Sequence, residues 1–217
     1  MTLFYAHLIQ ETEQARADFL KIETLQKGSG GDISLITYQA FLTQAYFHVK
    51  HTTPLLMACG SQIPDTKEWL RNAIAEYIEE EVGHQEWILN DLTATGLDAE
   101  KIRFGQPSYY TELMVAYAYD TIQRLNPVGF FGMVLVLEGT SVALATHAAE
   151  KIQHNLNLPK TAFSYLLSHG SLDIEHMSFY ERLMDQITDQ TDQAAIIHAA
   201  KRFYHLYGDI FKHLPIN

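Results

Sequence analysis

The sequence predicts an all-α fold, a bundle of about seven helices packed around one central buried helix. Three observations carry this. Apolar residues recur at spacings of three and four, and no stretch alternates convincingly as a strand would. Gly- and Pro-containing breaks cut that pattern into pieces of helical length. One piece, opening Val128-Gly129-Phe130-Phe131-Gly132-Met133-Val134-Leu135-Val136-Leu137, is apolar on every face and belongs at the centre. With 217 residues, 47% of them hydrophobic, the chain can bury a sizeable core, and the reading is one domain over 1–217.

Taken in order, the first helix runs from Leu3 to about Lys27, and Lys27-Gly28-Ser29-Gly30-Gly31-Asp32 follows as a flexible loop too short to link domains. The second starts near Ser34, carries Tyr38, Phe41, Ala45 and Val49, kinks at Pro54 and ends between Gly60 and Pro64. Its His48 and His51, three apart, have the spacing to face a pocket together but read as ordinary packing or surface residues. The third spans about Asp65 to Thr95, with Gly96 as its stop. A fourth runs from Ser108 to Arg124 and breaks at Asn126-Pro127; the fifth covers Val128 to about Asn155. The sixth spans Lys160 to Gln186, and the last, Thr191 to Lys212, closes the bundle with Ala195, Ile196, Ala199, Phe203, Leu206 and Ile210.

A net charge of −11, with no basic run or face, argues against nucleic acid and anionic membranes and favours small-molecule chemistry. Cys59 is the only cysteine, which excludes an internal disulfide and fits a reducing cytoplasm. Met1 to Gln10 lacks the features of a signal peptide, and no apolar run reads as membrane-spanning. A soluble cytoplasmic protein, plausible as a homodimer, is expected.

The chemistry concentrates in three helices. In the sixth, His169, Asp173 and His176 stand at i, i+4 and i+7, a narrow stripe along the edge of the face made by Phe163, Leu166, Leu167, Ile174, Met177, Tyr180 and Met184. In the third, Glu81 and His84 fall inside the face defined by Leu70, Ile74, Tyr77, Ile88 and Leu92, whereas Glu79 and Glu86 lie opposite. A buried Glu and His are costly unless paired or bound to something. Glu80, on the flank, is the substitute for Glu81 if the register differs. Glu138 interrupts the apolar fifth helix, with no Lys or Arg following it before Lys151. His147 and His154 lie on other azimuths and read as surface. Glu81, Glu138 and Asp173 with His84, His169 and His176 make the ligand complement of a two-metal site, hard oxygens and imidazoles without thiolate, which suits iron or manganese.

The ordered set Glu81-x2-His84, Glu138 followed by Gly139, and His169-x3-Asp173-x2-His176 resembles the haem-oxygenase-like di-metal oxidases and oxygenases, which share the seven-helix fold of the TenA/thiaminase II and pyrroloquinoline-quinone synthase C groups. The resemblance covers essentially the whole chain. It implies that the six residues hold two Fe ions, Mn being possible in one or both sites, and that Glu81, Glu138 and Asp173 serve catalysis. It implies further that O2 is used to oxidise a small organic substrate of the fatty-acid, amino-acid or amine class. Phe41, Tyr46, Tyr77, Phe130, Phe131, Tyr165 and Tyr180 are candidates for the apolar shell, Tyr46 and Tyr77 being singled out. Three alternatives stand beside this reading: a metal-free TenA-like hydrolase with Cys59 as nucleophile, a haem protein with His7 as axial ligand, and a non-catalytic metal-binding protein.

Overall fold

The structure is a computed structural model that describes residues 3–216, the side chains of residues 171–174 apart. Its α-helices are α1 (Phe4–Leu20), α2 (Glu23–Gly30), α3 (Leu35–Val49), α4 (Thr52–Gln62), α5 (Glu68–Glu81), α6 (His84–Ala94), α7 (Ala99–Arg103), α8 (Tyr109–Asp120), α9 (Phe131–Leu156), α10 (Ser164–Met184) and α11 (Gln190–Lys212), and no strand occurs among the described residues. The expected helical pieces are therefore present, but three of them are broken in two.

Each break has a local cause. Pro54 is the third residue of α4, so its ring would meet the Lys50 carbonyl of a continuous helix, and the chain parts between Val49 and Thr52. Between Glu81 and His84 the backbone turns through Gly83 at φ 94°, a conformation that side chains with a Cβ disfavour. The first piece parts at Lys21-Ile22, and the glycine-rich stretch after it corrects the sequence reading: residues 27–30, read as loop, are the helical end of α2, and Gly31 ends it in the left-handed region. Two helical glycines cost about 1 kcal/mol each against Ala. Packing of α2 on α9 offsets this, with Leu25 buried and Asn155 Nδ2 donating to the Gly31 carbonyl at 3.0 Å.

Helix starts follow their caps. Ser34 Oγ accepts from Thr37 N, Ser108 Oγ from Thr111 N, and Asp189 Oδ1 from Thr191 N, each worth on the order of 1 kcal/mol. Helix α9 packs against α2, α10 and α11 and is the central helix anticipated. Contrary to expectation, the stretch Pro127–Leu156 does reach the length and apolarity of a membrane span; much of it is spent inside the bundle instead. The Tyr180 hydroxyl donates to the Phe131 carbonyl at 2.8 Å, tying α10 to the start of α9.

The core has two parts. One gathers Leu55, Leu56, Tyr77, Phe130, Met133 and Phe211; the other gathers Tyr38, Val49, Ala145, Ile152, Phe163 and Leu166. A cavity of about 160 Å³ draws its walls from both, along α3 and α4 on one side and α9 on the other.

Candidate metal centre

The apolar stripe Leu70, Ala73, Ile74, Tyr77 of α5 continues onto Glu81 at the helix end, which is why that carboxylate is only 7% exposed. The Gly83 turn then brings His84, 5% exposed, back towards it, and His84 Nδ1 lies 3.1 Å from Glu81 Oε2. The sequence reading placed these two on one continuous helix. The structure juxtaposes them across a helix break instead. Trp87, one turn further, stacks on the His84 ring at 4.0 Å between centroids and fixes its plane.

Helix α10 lays its own histidines against this pair. His169 stands edge-on to His84 at 4.8 Å and to Tyr165 at 4.8 Å. His176 turns Nδ1 towards Glu138 Oε1 of α9 at 3.8 Å and Nε2 towards Glu80 Oε2 at 3.0 Å. Asp173 falls among the residues whose side chains lie outside the described set.

Five of the six predicted ligands thus converge from α5, α6, α9 and α10. They form two groups, Glu81, His84 and His169, and Glu81, Glu138 and His176, within each of which the donor atoms lie within 4.8 Å of one another. Glu81 belongs to both. The arrangement fits cations: two carboxylates share a buried site, Glu138 being 11% exposed, and no Lys or Arg is among the described residues of the adjoining cavity wall. Like charges so placed are costly without a counter-ion. Carboxylate oxygens and imidazole nitrogens without thiolate suit iron or manganese.

Several surroundings were not legible beforehand. Glu80, read as a stand-in for Glu81, instead holds the far nitrogen of His176, the usual way a carboxylate sets a ligand imidazole's tautomer. Asp91, fully buried, caps α10 from α6: it accepts from Ser164 N at 2.9 Å, Ser164 Oγ at 2.5 Å and Tyr165 N at 2.9 Å. Its signal was present, because Asp91 lies seven residues from His84 and so on the same buried face. Tyr77 sits edge-to-face with His176 at 6.1 Å, and its hydroxyl has no hydrogen-bond partner. Burial first, then the Glu138 charge, pushes that hydroxyl well above the ordinary tyrosine range, so it stays protonated.

Of the aromatics expected to form a shell, Phe41, Tyr77, Phe130 and Tyr165 line the cavity; Tyr46, Phe131 and Tyr180 are not part of its wall. Tyr46 packs on Phe47 under the Lys50 ammonium. His51 bonds the Tyr119 hydroxyl, as a packing residue, whereas His48 lines the cavity, the pocket-facing alternative for the pair. His147 and His154 are exposed, as anticipated.

Two alternatives lose their key residue. Cys59 is fully buried, donates to the Pro127 carbonyl at 3.2 Å and is outside the cavity wall; burial pushes its thiol up to about 12, the reverse of an activated nucleophile. His7 is exposed and does not face the cavity.

Comparison with known proteins agrees with this fold. A domain of unknown function with a heme oxygenase-like fold from Shewanella denitrificans superposes with a TM-score of 0.87 at 20% identity, over 97% of this chain and 91% of that one. A TenA homologue from Pseudomonas syringae gives 0.79 at 12% identity, over 97% and 91%. Heme oxygenase-1 from the cyanobacterium Synechocystis, in complex with heme, gives 0.74 at 13% identity, over 98% and 92%. These likenesses establish the fold. No curated protein matches the chain in sequence. Residues 39–208 match the family model described as iron-containing redox enzyme, and with that match running over most of its length the chain belongs to the haem-oxygenase-like family of iron-containing redox enzymes.

Proposed function

We propose that the chain is a non-haem diiron oxidase or oxygenase that uses O2 to oxidise a small organic substrate. The observation that carries the reading is the position of Glu81, common to two buried donor groups that each add an imidazole from α10. A single-iron site would leave one group idle.

Glu81, His84 and His169 would hold one iron, and Glu81, Glu138 and His176 the other, with Asp173 assigned as a further ligand from its place on α10. Iron bound there supplies the redox chemistry with O2. The chain's own residues prepare the site. Trp87 keeps the His84 ring in one plane, and Glu80 on Nε2 leaves His176 Nδ1 facing Glu138. Tyr77 presents a protonated hydroxyl to the cavity beside that pair. The walls, among them Leu55, Leu56, Met133, Val134, Leu137 and Phe211, exclude bulk water from a substrate lying against the metal end. Fatty acids, amino acids and amines are the classes to screen, and the apolar walls favour those with long hydrocarbon parts.

Anaerobic reconstitution with Fe(II), metal analysis, and exposure to O2 in a stopped-flow spectrometer test the reading. Two irons per chain and a transient visible band are expected. Absence of bound iron, or bound iron that consumes no O2 with any of the three substrate classes or with their neutral alcohol and amide analogues, would refute it.

A further inference from the structure

His48 is the cavity-lining group that the metal centre leaves unused. It is 2% exposed, its Nδ1 has no hydrogen-bond partner, and its ring stands edge-on to Tyr207 at 5.7 Å. A buried polar atom left in that state is costly. Nothing in the packing of α3 requires it, since a Leu or Phe would fill the same wall.

Its place along the cavity is defined. Thr37, Phe41 and His48 line it from α3, so His48 lies about 16 Å beyond Thr37 at 1.5 Å per residue. Ile33, close to Thr37 in the chain, lines the same end, whereas His48 interacts electrostatically with His169, which puts His48 at the metal end. Most of the wall is hydrocarbon. A molecule filling this space has a polar head near the metals and an apolar chain running along α3.

The character of the head follows from what surrounds it. Burial drives His48 down to about 3, so its imidazole is neutral and offers one N–H donor and one nitrogen acceptor. The other partnerless buried polar atoms of the wall, Tyr77 OH and Ser141 Oγ, are neutral too. No Lys or Arg is among the described lining residues, and Glu81 and Glu138 are committed to the metal groups. A carboxylate or ammonium beside His48 would be desolvated without a partner from this wall. A group that both donates and accepts would be matched.

We propose that His48 binds the head group of the substrate, and that this head is a neutral hydrogen-bonding group, an alcohol or a primary amide, carried on an apolar chain. The proposal deepens the oxidase reading and rests on it for the cavity being the substrate site.

Isothermal titration calorimetry of the full chain, anaerobic and Fe(II)-loaded and again metal-free, tests it with octan-1-ol, octanoate and octylammonium. In the metal-free chain octan-1-ol is expected to bind more tightly than octanoate, and in the Fe(II)-loaded chain, where Glu81 and Glu138 hold the metals, more tightly than octylammonium. His48→Phe should weaken octan-1-ol about fivefold in both states, the loss of one hydrogen bond, and leave the two ions unchanged. His48→Gln, which keeps a neutral donor and acceptor, should restore alcohol binding to within about twofold. Octanoate binding the metal-free chain, or octylammonium the Fe(II)-loaded chain, more tightly than the alcohol, alcohol binding indifferent to His48→Phe, or no alcohol binding in either state would overturn the proposal. A chain that takes up no iron yet shows the alcohol preference and its loss in His48→Phe would remove the oxidase reading and keep the head-group site.

Discussion

Replacing Asp91 with Ala removes the cap that locks the start of α10 to α6 and thereby sets His169 against His84. The carboxylate accepts three hydrogen bonds, from Ser164 N, Ser164 Oγ and Tyr165 N, at a point with no solvent exposure. At about 1 kcal/mol per bond, and with two backbone N–H groups stranded where water does not replace Asp91, the loss should be about 3 kcal/mol. For a chain of this size that is a fall of about 9 °C in melting temperature. Asp91→Asn keeps the Oδ1 acceptor and loses only part of the cap, so about 1–2 kcal/mol is expected. Urea unfolding followed by circular dichroism measures both. An Asp91→Ala protein within about 1 kcal/mol of wild type would refute the claim that this cap joins α6 to α10. The pH dependence has a definite sign. Burial, the largest influence, raises the Asp91 carboxyl above its ordinary value despite the Ser164 and Tyr165 donors. Its folded form therefore holds the proton to higher pH than the unfolded chain does, and its contribution is complete below about pH 4 and declines as pH rises through the raised value. Relative to Asp91→Asn, wild type should gain stability on acidification towards pH 4; the opposite trend would contradict the burial argument.

Three other perturbations probe the centre. Glu81→Ala should abolish uptake of both irons, whereas His84→Ala and His176→Ala should each leave about one iron per chain; equal stoichiometry in all three would show that Glu81 is not shared. Glu80→Gln should weaken iron binding about tenfold without changing the stoichiometry, read by competition with a chelator, because His176 loses the carboxylate on Nε2. Gly170→Ala places a Cβ 2.2 Å from Thr146 Oγ1 and 3.1 Å from Thr146 N, where α10 crosses α9 beside His169. Overpacking of about 1–3 kcal/mol outweighs a helix-propensity gain of about 1 kcal/mol, so thermal unfolding should come earlier; in a Thr146→Ala background the penalty should shrink by about half or more, and strict additivity would refute the contact.

How much of this was legible in the sequence depends on what kind of fact each residue represents. The test that singled out Glu81, His84 and Glu138 asks only whether an ionisable side chain falls on a face that must be buried, and the residues of one helix are enough to answer it. It paired Glu81 with His84, which the structure also brings together, but for a partly wrong reason, since the helix it assumed is broken at Gly83. The same test, applied one turn and more beyond His84, would have found Asp91. Trp87 and Glu80 were different: their roles exist only once α5, α6 and α10 are docked, because each acts on a ring that its own helix positions only in part. The glycine-rich α2 failed for a related reason, its helicity being secured by α9 and not by its own composition.

His48 is the instructive extreme. On α3 alone it is an imidazole within an apolar stretch, and hydrogen-bonded packing is the ordinary fate of such a residue. What removes that explanation is a tertiary fact, the seam between two core clusters that leaves its Nδ1 facing no protein atom able to bond it. A periodicity argument detects polar groups that are buried; it has no means of detecting polar groups that are buried and left over. Metal ligands belong to the first kind because several of them must converge and each leaves a trace on its own helix. A substrate-recognising residue of the second kind needs no companion in the sequence, so the cavity has to be seen before its partner can be inferred.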